Sequence, residues 1–282
     1  MLEKIDGETG NLIQTFDSVS EFVEFSDKHA TDARSGRKND WHGNVTFAES
    51  VDMSHIGWKE GAVKALAIET RLASKATSIL AQQSPFMSTE GLEIDMGAYC
   101  SGQPECWVDT VPEYLPANGN VVKVVANLAA SSGVGPEQMI ARGCALSALC
   151  AALETSGRGC EVWGAFPLEE TWSGKGRTVT AMIKVKAAGQ PMDLGRLAYA
   201  MAHPSFLRQV GFGWLDHVQS KGYAVGKADC YGIPGAMPDS CLGDVGNPPM
   251  LYGGDDRFGR DARAALDWIK DVLKKQGVEI DS

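Results

Sequence analysis

Residues 121–166 read VVKVVANLAASSGVGPEQMIARGCALSALCAALETSGRGCEVWGAF, and the fold turns on how they are parsed. Val121 to Ala126 is a short β-branched apolar run, the pattern of a buried strand. Asn127 to Gly135 is a loop of small residues. Pro136 suits a first helical position, where its missing N–H would have had no partner. The helix is expected to run to about Ser156, stopped by Gly157 and Gly159. Cys160 to Phe166 is a second apolar run. Two strands joined by a helical crossover pair in parallel, and helices are then expected on both faces of the sheet.

Working outward, Arg177 to Val185 alternates and follows closely, as an edge strand antiparallel to its neighbour would. Pro204 to Val218 is a helix with Phe206, Leu207, Val210, Trp214 and Val218 as its apolar stripe. Gly222 to Pro249 is rich in Gly and Pro and reads as a long loop. Met250 to Tyr252 is a brief strand, Asp261 to Lys275 an amphipathic helix, and Val278 to Ile280 a terminal strand. On the other side, Ser20 to Ala30 is a short helix capped by Ser20. Trp58 to Gln82 is a long helix striped by Ala62, Leu66, Ala73, Ala76 and Leu80, with Glu60 placed to pair with Lys64. Leu92 to Cys100 alternates as a strand, and the prolines between 101 and 120 mark a connection. The expected fold is therefore α/β. Residues 119–282 form a central, mostly parallel sheet flanked by helices, preceded by an α+β extension over 1–118.

The chain has 282 residues and a formal charge of −10, with ordinary proportions of apolar and charged residues. This excludes a low-complexity chain and argues against nonspecific nucleic-acid binding, which relies on Lys and Arg to release counterions. No stretch reaches the roughly 18 apolar residues of a membrane span, and Met1 to Asp17 shows no secretory pattern. Seven scattered cysteines, an odd number, are expected to be reduced thiols in a cytoplasmic protein. Cys144 and Cys150 read as core residues, and no closely spaced pair suggests zinc.

Strand, serine loop, helix, strand and antiparallel strand, then Gly189-Gln-Pro-Met-Asp-Leu-Gly195 and Leu251-Tyr-Gly-Gly-Asp255 before an amphipathic helix, resemble the von Willebrand factor A domain. That resemblance implies a Mg²⁺ site at the carboxyl ends of the strands, built from an Asp-x-Ser-x-Ser loop, a Thr and an Asp. Here the first loop is Asn127-Leu-Ala-Ala-Ser131, so an amide replaces the anionic ligand and Ala129 replaces the first Ser. Met192 stands where the Thr belongs, and a thioether is a poor magnesium ligand. The metal-ion-dependent adhesion site (MIDAS) is thus degenerate, and the reading assigns no metal ligands, no cofactor and no catalytic residues, with Mg²⁺ the minor alternative. Asn127, Ser131, Ser132, Asp193, Asp255 and Asp256 are the expected binding residues, on three loops at a common rim. His203 is read as a capping or packing residue, with Arg196 and Arg208 as the other members of a conceivable positive pocket.

Trp41-His-Gly-Asn-Val-Thr-Phe47, Gly57-Trp58-Lys-Glu-Gly61, Ser101-Gly-Gln-Pro-Glu-Cys106 and Ala202-His-Pro-Ser205 also resemble an uncharacterised family of bacteriophages and prophages. The expected function is a non-enzymatic protein-binding or assembly module, in the bacterial host cytoplasm or the virion, with another protein as partner and no membrane. Two other classes compete. One is a divalent-metal enzyme acting on nucleic acid or nucleotides through Asp255, Asp256 and Asp193. The other is a single-stranded nucleic-acid binder using tryptophans and Arg.

Overall fold

The computed structural model describes residues 1–7, 9–31, 38–80, 86–89, 93–109, 121–155, 158–170, 176–225, 233–247 and 262–275. The chain opens with β1 (Leu2–Ile5), β2 (Leu12–Phe16) and α1 (Val19–His29), then a 3₁₀ turn at Asp40–His42, α2 (Phe47–Ile56) and α3 (Lys59–Leu80). A small region follows: β3 (Phe86–Ser88), β4 (Glu93–Ile94), α4 (Met96–Cys100) and β5 (Trp107–Asp109). Then come β6 (Val122–Asn127), α5 (Pro136–Thr155), β7 (Cys160–Glu169), β8 (Thr178–Lys186) and α6 (Leu194–Ala202). A π-helical turn, Phe206–Gly211, runs into α7 (Phe212–Ser220), and β9 (Ile233–Pro234), β10 (Val245–Gly246) and α8 (Ala262–Lys275) complete the described elements.

The main sheet has the order β1-β2-β8-β7-β6-β10, with β9 paired to the last residues of β7 beyond the end of β6. The protein is α/β, as expected, and β6, α5 and β7 form the parallel crossover unit read from the sequence. The sheet is mixed: three of its described pairings are parallel and three antiparallel. β8 is antiparallel to β7 but does not lie at the edge, because β2 pairs with its other side in parallel. Sheet membership therefore crosses the 118/119 boundary. Period-two alternation identifies a strand yet cannot tell an edge from the interior when the partner lies far off in sequence.

Alternate residues sort the strands into two faces. Val122, Val124, Ala126, Val162, Phe166, Val179, Ala181 and Ile183 join the large core, as do the buried side chains of α1, α5, α6 and α7. The opposite face presents Val125, Ala165 and Met182 to Cys241 and Met237 of the segment before β10. Helices on both faces were expected; among the described residues the helical core lies on one face, and a Gly/Pro-rich segment covers the other. Phe16, Phe22, Phe166, Phe206 and Tyr199 form a chain of ring contacts with centroids 5.0–5.8 Å apart. Each such ring, fully buried, contributes about 1.5–3 kcal/mol. α5 meets α6 at Gly143, where a Cβ would stand 2.2 Å from the Met201 carbonyl oxygen.

Several local expectations are corrected. Ser18, not Ser20, caps α1, accepting the Glu21 N–H. Residues 96–100 are helical rather than extended, because the Asp95 carboxylate accepts the N–H groups of Gly97 and Ala98 and turns the chain after only two strand residues. In the first turns of α3 Gly61 and Ala65 are buried, Ala62 is half-buried and Leu66, expected on the apolar stripe, is 52% exposed; the side chains of Ala73, Ala76 and Leu80 lie outside the described residues. The Lys64 ammonium lies over the Trp58 ring, 5.8 Å from its centroid, and makes no ion pair with Glu60. The six described cysteines, Cys144 and Cys150 among them in the core, carry free thiols. The expected strands at 250–252 and 278–280 lie outside the described residues.

Candidate functional site

The carboxyl ends of β6, β7 and β10 form one rim of the sheet, since these strands run parallel. Asn127, the last residue of β6, is buried and builds this rim from inside. Its N–H donates to the Asn247 Oδ1 at 2.8 Å, and the Asn247 Nδ2 donates back to its carbonyl at 3.1 Å. The Asn127 Nδ2 donates to the Gly235 carbonyl, and its Oδ1 accepts the Ala129 N–H. Asn127 thus ties together the ends of β6, β9 and β10. Ser131 and Ser132 follow on the rim: the Ser131 carbonyl closes a turn with the Val134 N–H, and the Ser132 carbonyl accepts the Trp41 indole N–H at 2.8 Å.

Asp193 does not join them. β8 runs down against β7 and puts Lys186 beside Val162, so the chain leaves β8 at the opposite end of the sheet. There Asp193 caps α6, accepting the Arg196 N–H at 3.0 Å and pairing with the Arg196 guanidinium at 3.3 Å. Arg196 also donates to the His55 carbonyl, far from Arg208. The expected three-loop rim is therefore corrected, because an antiparallel strand reverses the end at which the following loop emerges. Asp255 and Asp256 lie outside the described residues.

What α6 brings back to the rim is His203 and the π-helical turn. Next to Ser131 and Ser132, a cavity of about 70 Å³ is walled by Trp41, Phe166, Leu168, Leu207, Arg208 and Trp214, among others. Arg208 is 2% exposed. Its Nη1 donates to the Trp41 carbonyl at 2.8 Å and its Nη2 to the Val134 carbonyl at 2.5 Å. Its guanidinium lies 4.3 Å from the Trp41 ring centre, a cation–π stack. Among the described residues no carboxylate pairs with it. Burial pulls its pKa down to about 10, which still leaves a full positive charge at neutral pH. The π-helical turn sets this position, and such turns concentrate where side chains are aimed for a purpose. The sequence signal was a charged residue within the apolar run Phe206 to Val210.

His203 has a different environment. The Ser205 N–H donates to its Nδ1 at 3.2 Å, so Nδ1 carries a lone pair and the proton resides on Nε2. The Ser205 hydroxyl, 2.7 Å away, then donates to Nδ1 as well. It accepts from the Ser50 hydroxyl at 2.7 Å, which in turn accepts from the Tyr199 hydroxyl at 2.7 Å. Every proton in this buried chain has one consistent direction. Burial lowers the His203 pKa to about 4, so the ring is neutral at pH 7, and burial pushes the Tyr199 phenol well above its usual range. His203 therefore does cap the following turn, with its imidazole buried.

Among the described residues no group of three or more His, Cys, Asp or Glu is placed to hold a metal ion. No helix among them is long and apolar enough to cross a membrane. The model of DUF7192, a domain of unknown function, matches residues 4–280, so the chain belongs to that family. Neither a curated protein nor a solved structure matches the chain.

Proposed function

We propose that this member of the DUF7192 family is a non-enzymatic binding module that takes an acidic side chain of a protein partner at the strand-end rim. The observation carrying this reading is Arg208, a buried cation on the wall of a cavity with two carbonyl partners and, among the described residues, no carboxylate. Burying a charge without its counterion costs several kcal/mol, which an incoming Asp or Glu offsets. The apolar walls suit the stem of that side chain and its neighbours. The cavity is far smaller than the roughly 300–1,000 Å³ of cofactor and substrate pockets, which favours a side chain as guest. The run β6, α5, β7 with β8 antiparallel is what a von Willebrand A-like domain calls for, and such domains bind through this rim. An assembly role in a phage or prophage, in the host cytoplasm or the virion, rests on the sequence resemblance.

The test is selection of a displayed random peptide library on the full chain. Peptides with Asp or Glu beside an apolar or aromatic residue are expected to be enriched. Their binding should be lost in Ser132→Trp, which plugs the cavity from an exposed position, and in Arg208→Gln. Peptides without acidic residues, or binding that survives both variants, would refute the reading.

The metal-dependent enzyme reading is weakened by the placement of Asp193 at the other end of the sheet. A single-stranded nucleic-acid reading has one feature in its favour: Trp163 lies beneath Lys123 and Lys184, their ammonium groups 5.7 and 4.9 Å from its ring centre. Absence of oligo-dT binding at low salt would end it.

A further inference from the structure

The seam between α1 and α7 holds two histidines in contact. The helices cross where Gly213 meets Ser26, so closely that a Cβ on Gly213 would stand 2.6 Å from the Ser26 carbonyl oxygen. Beside the crossing, Phe25, His29 and His217 meet as three rings with centroids 4.4–4.8 Å apart, the two imidazoles at 4.4 Å. Just beyond α1, the Thr31 N–H and hydroxyl donate to the Asp216 Oδ2 at 3.1 and 3.2 Å and fasten the helix end to α7. The His29 Nδ1 donates to the Phe25 carbonyl at 2.7 Å, so its neutral ring takes a proton only on Nε2. In the same seam the Ser26 Oγ and the His217 Nε2 are buried with no partner among the described residues, which leaves the contact costly to keep closed.

We propose that this seam is an acid-released latch: proton uptake by the His29–His217 pair frees the last turn of α1 from α7 and uncovers Phe25. An imidazolium donates from both nitrogens, so a charged His217 would hold a buried N–H without an acceptor. Two charged rings in contact also repel. The other charges at the pair are Lys221 and Asp216 from α7 and Glu3 from β1, with Asp27 and Lys28 of α1 exposed to solvent. Burial, then His29 and Lys221, hold the His217 pKa below its ordinary value, against a weaker pull from Glu3. Glu3 is itself engaged, by Lys221 at 2.6 Å and by the Gln14 Nε2 at 2.7 Å, and these partners keep it ionised in mild acid. A lowered pKa in the closed state means that the open state binds the proton more readily. The latch is therefore held at neutral pH and loosens as the pH falls below the ordinary imidazole value of about 6.5. None of its residues lines the rim cavity, and the proposal does not rest on an acidic guest there.

The test is amide hydrogen exchange of the full chain between pH 7.5 and pH 5, read as protection factors so that the intrinsic pH dependence of exchange divides out. The reporters are the Ala30 N–H, bonded to the Ser26 carbonyl, and the Thr31 N–H, with Met182 in β8 as the control for global unfolding. Opening at Ala30 and Thr31 should rise by up to about tenfold per pH unit below 6.5, in excess of any rise at Met182. The excess should vanish in His217→Gln and shrink in His29→Gln. No excess in the wild type overturns the proposal, as does an undiminished excess in both variants, since Asp216 would then be the titrating group.

Discussion

Acidification should destabilise this protein through His203. In the folded chain burial holds its pKa at about 4, against 6.5 for an unperturbed imidazole. The unfolded chain therefore takes up a proton first, so the stabilising contribution is complete above pH 6.5 and drains away as the pH falls towards 4. The gap of about 2.5 pH units, at about 1.4 kcal/mol per unit, amounts to about 3 kcal/mol. Because the side chain is almost wholly buried, solvent screening does little to reduce this. The measurement is urea unfolding of the wild type and His203→Gln from pH 7 to pH 4. Gln offers an acceptor to the Ser205 N–H but does not titrate. Other groups change protonation in both proteins, His217 included, so the difference between the two curves isolates His203. The wild type should lose stability relative to the variant by about 1.4 kcal/mol per unit below pH 6.5. Parallel curves would show that His203 is protonated as readily folded as unfolded, and the argument for a neutral Nε2–H donor would fail.

Three further outcomes are expected. Gly143→Ala drives a methyl into the Met201 carbonyl and the Ala202 backbone where α5 crosses α6, and thermal unfolding should show a loss of about 3 kcal/mol or more. Arg177→Gln removes the guanidinium that pairs at 2.7 Å with the fully buried Glu170 carboxylate; equilibrium unfolding should register about 3 kcal/mol, and a loss below 1 would contradict the pairing. Asp95→Ala removes the acceptor for two N–H groups at the start of α4. It should cost about 1 kcal/mol and raise amide exchange at Gly97 and Ala98.

The strand–helix–strand unit was legible because its evidence is local: a β-branched run, a small-residue loop, Pro136 and two stopping glycines all lie within one stretch. What escaped were pairings between distant segments. Nothing in Thr178 to Lys186 says that Leu12 to Phe16 lies beside it, and so an inner strand read as an edge. The same limitation misplaced Asp193, since the rim on which a loop emerges depends on the direction of the strand before it. Ser131, Ser132 and Asn127 were rightly gathered at one end of the sheet because they leave the same strand. Arg208 and His203 were noticed as residue types, but their meaning came from burial: one cation with no carboxylate partner among the described residues, and one imidazole held by a serine two residues on.

The parallel pairing of β2 with β8 has a consequence for biosynthesis. The first strands leave the ribosome long before their neighbour does, so Leu12 to Phe16 must wait, unpaired on one side, until residues 178–186 have been made. Until then the nascent chain carries an apolar ribbon with open hydrogen-bonding groups, the kind of segment a chaperone shields. A version lacking its first 17 residues would meet the converse problem, finishing synthesis with β8 uncovered and prone to recruit another chain's strand.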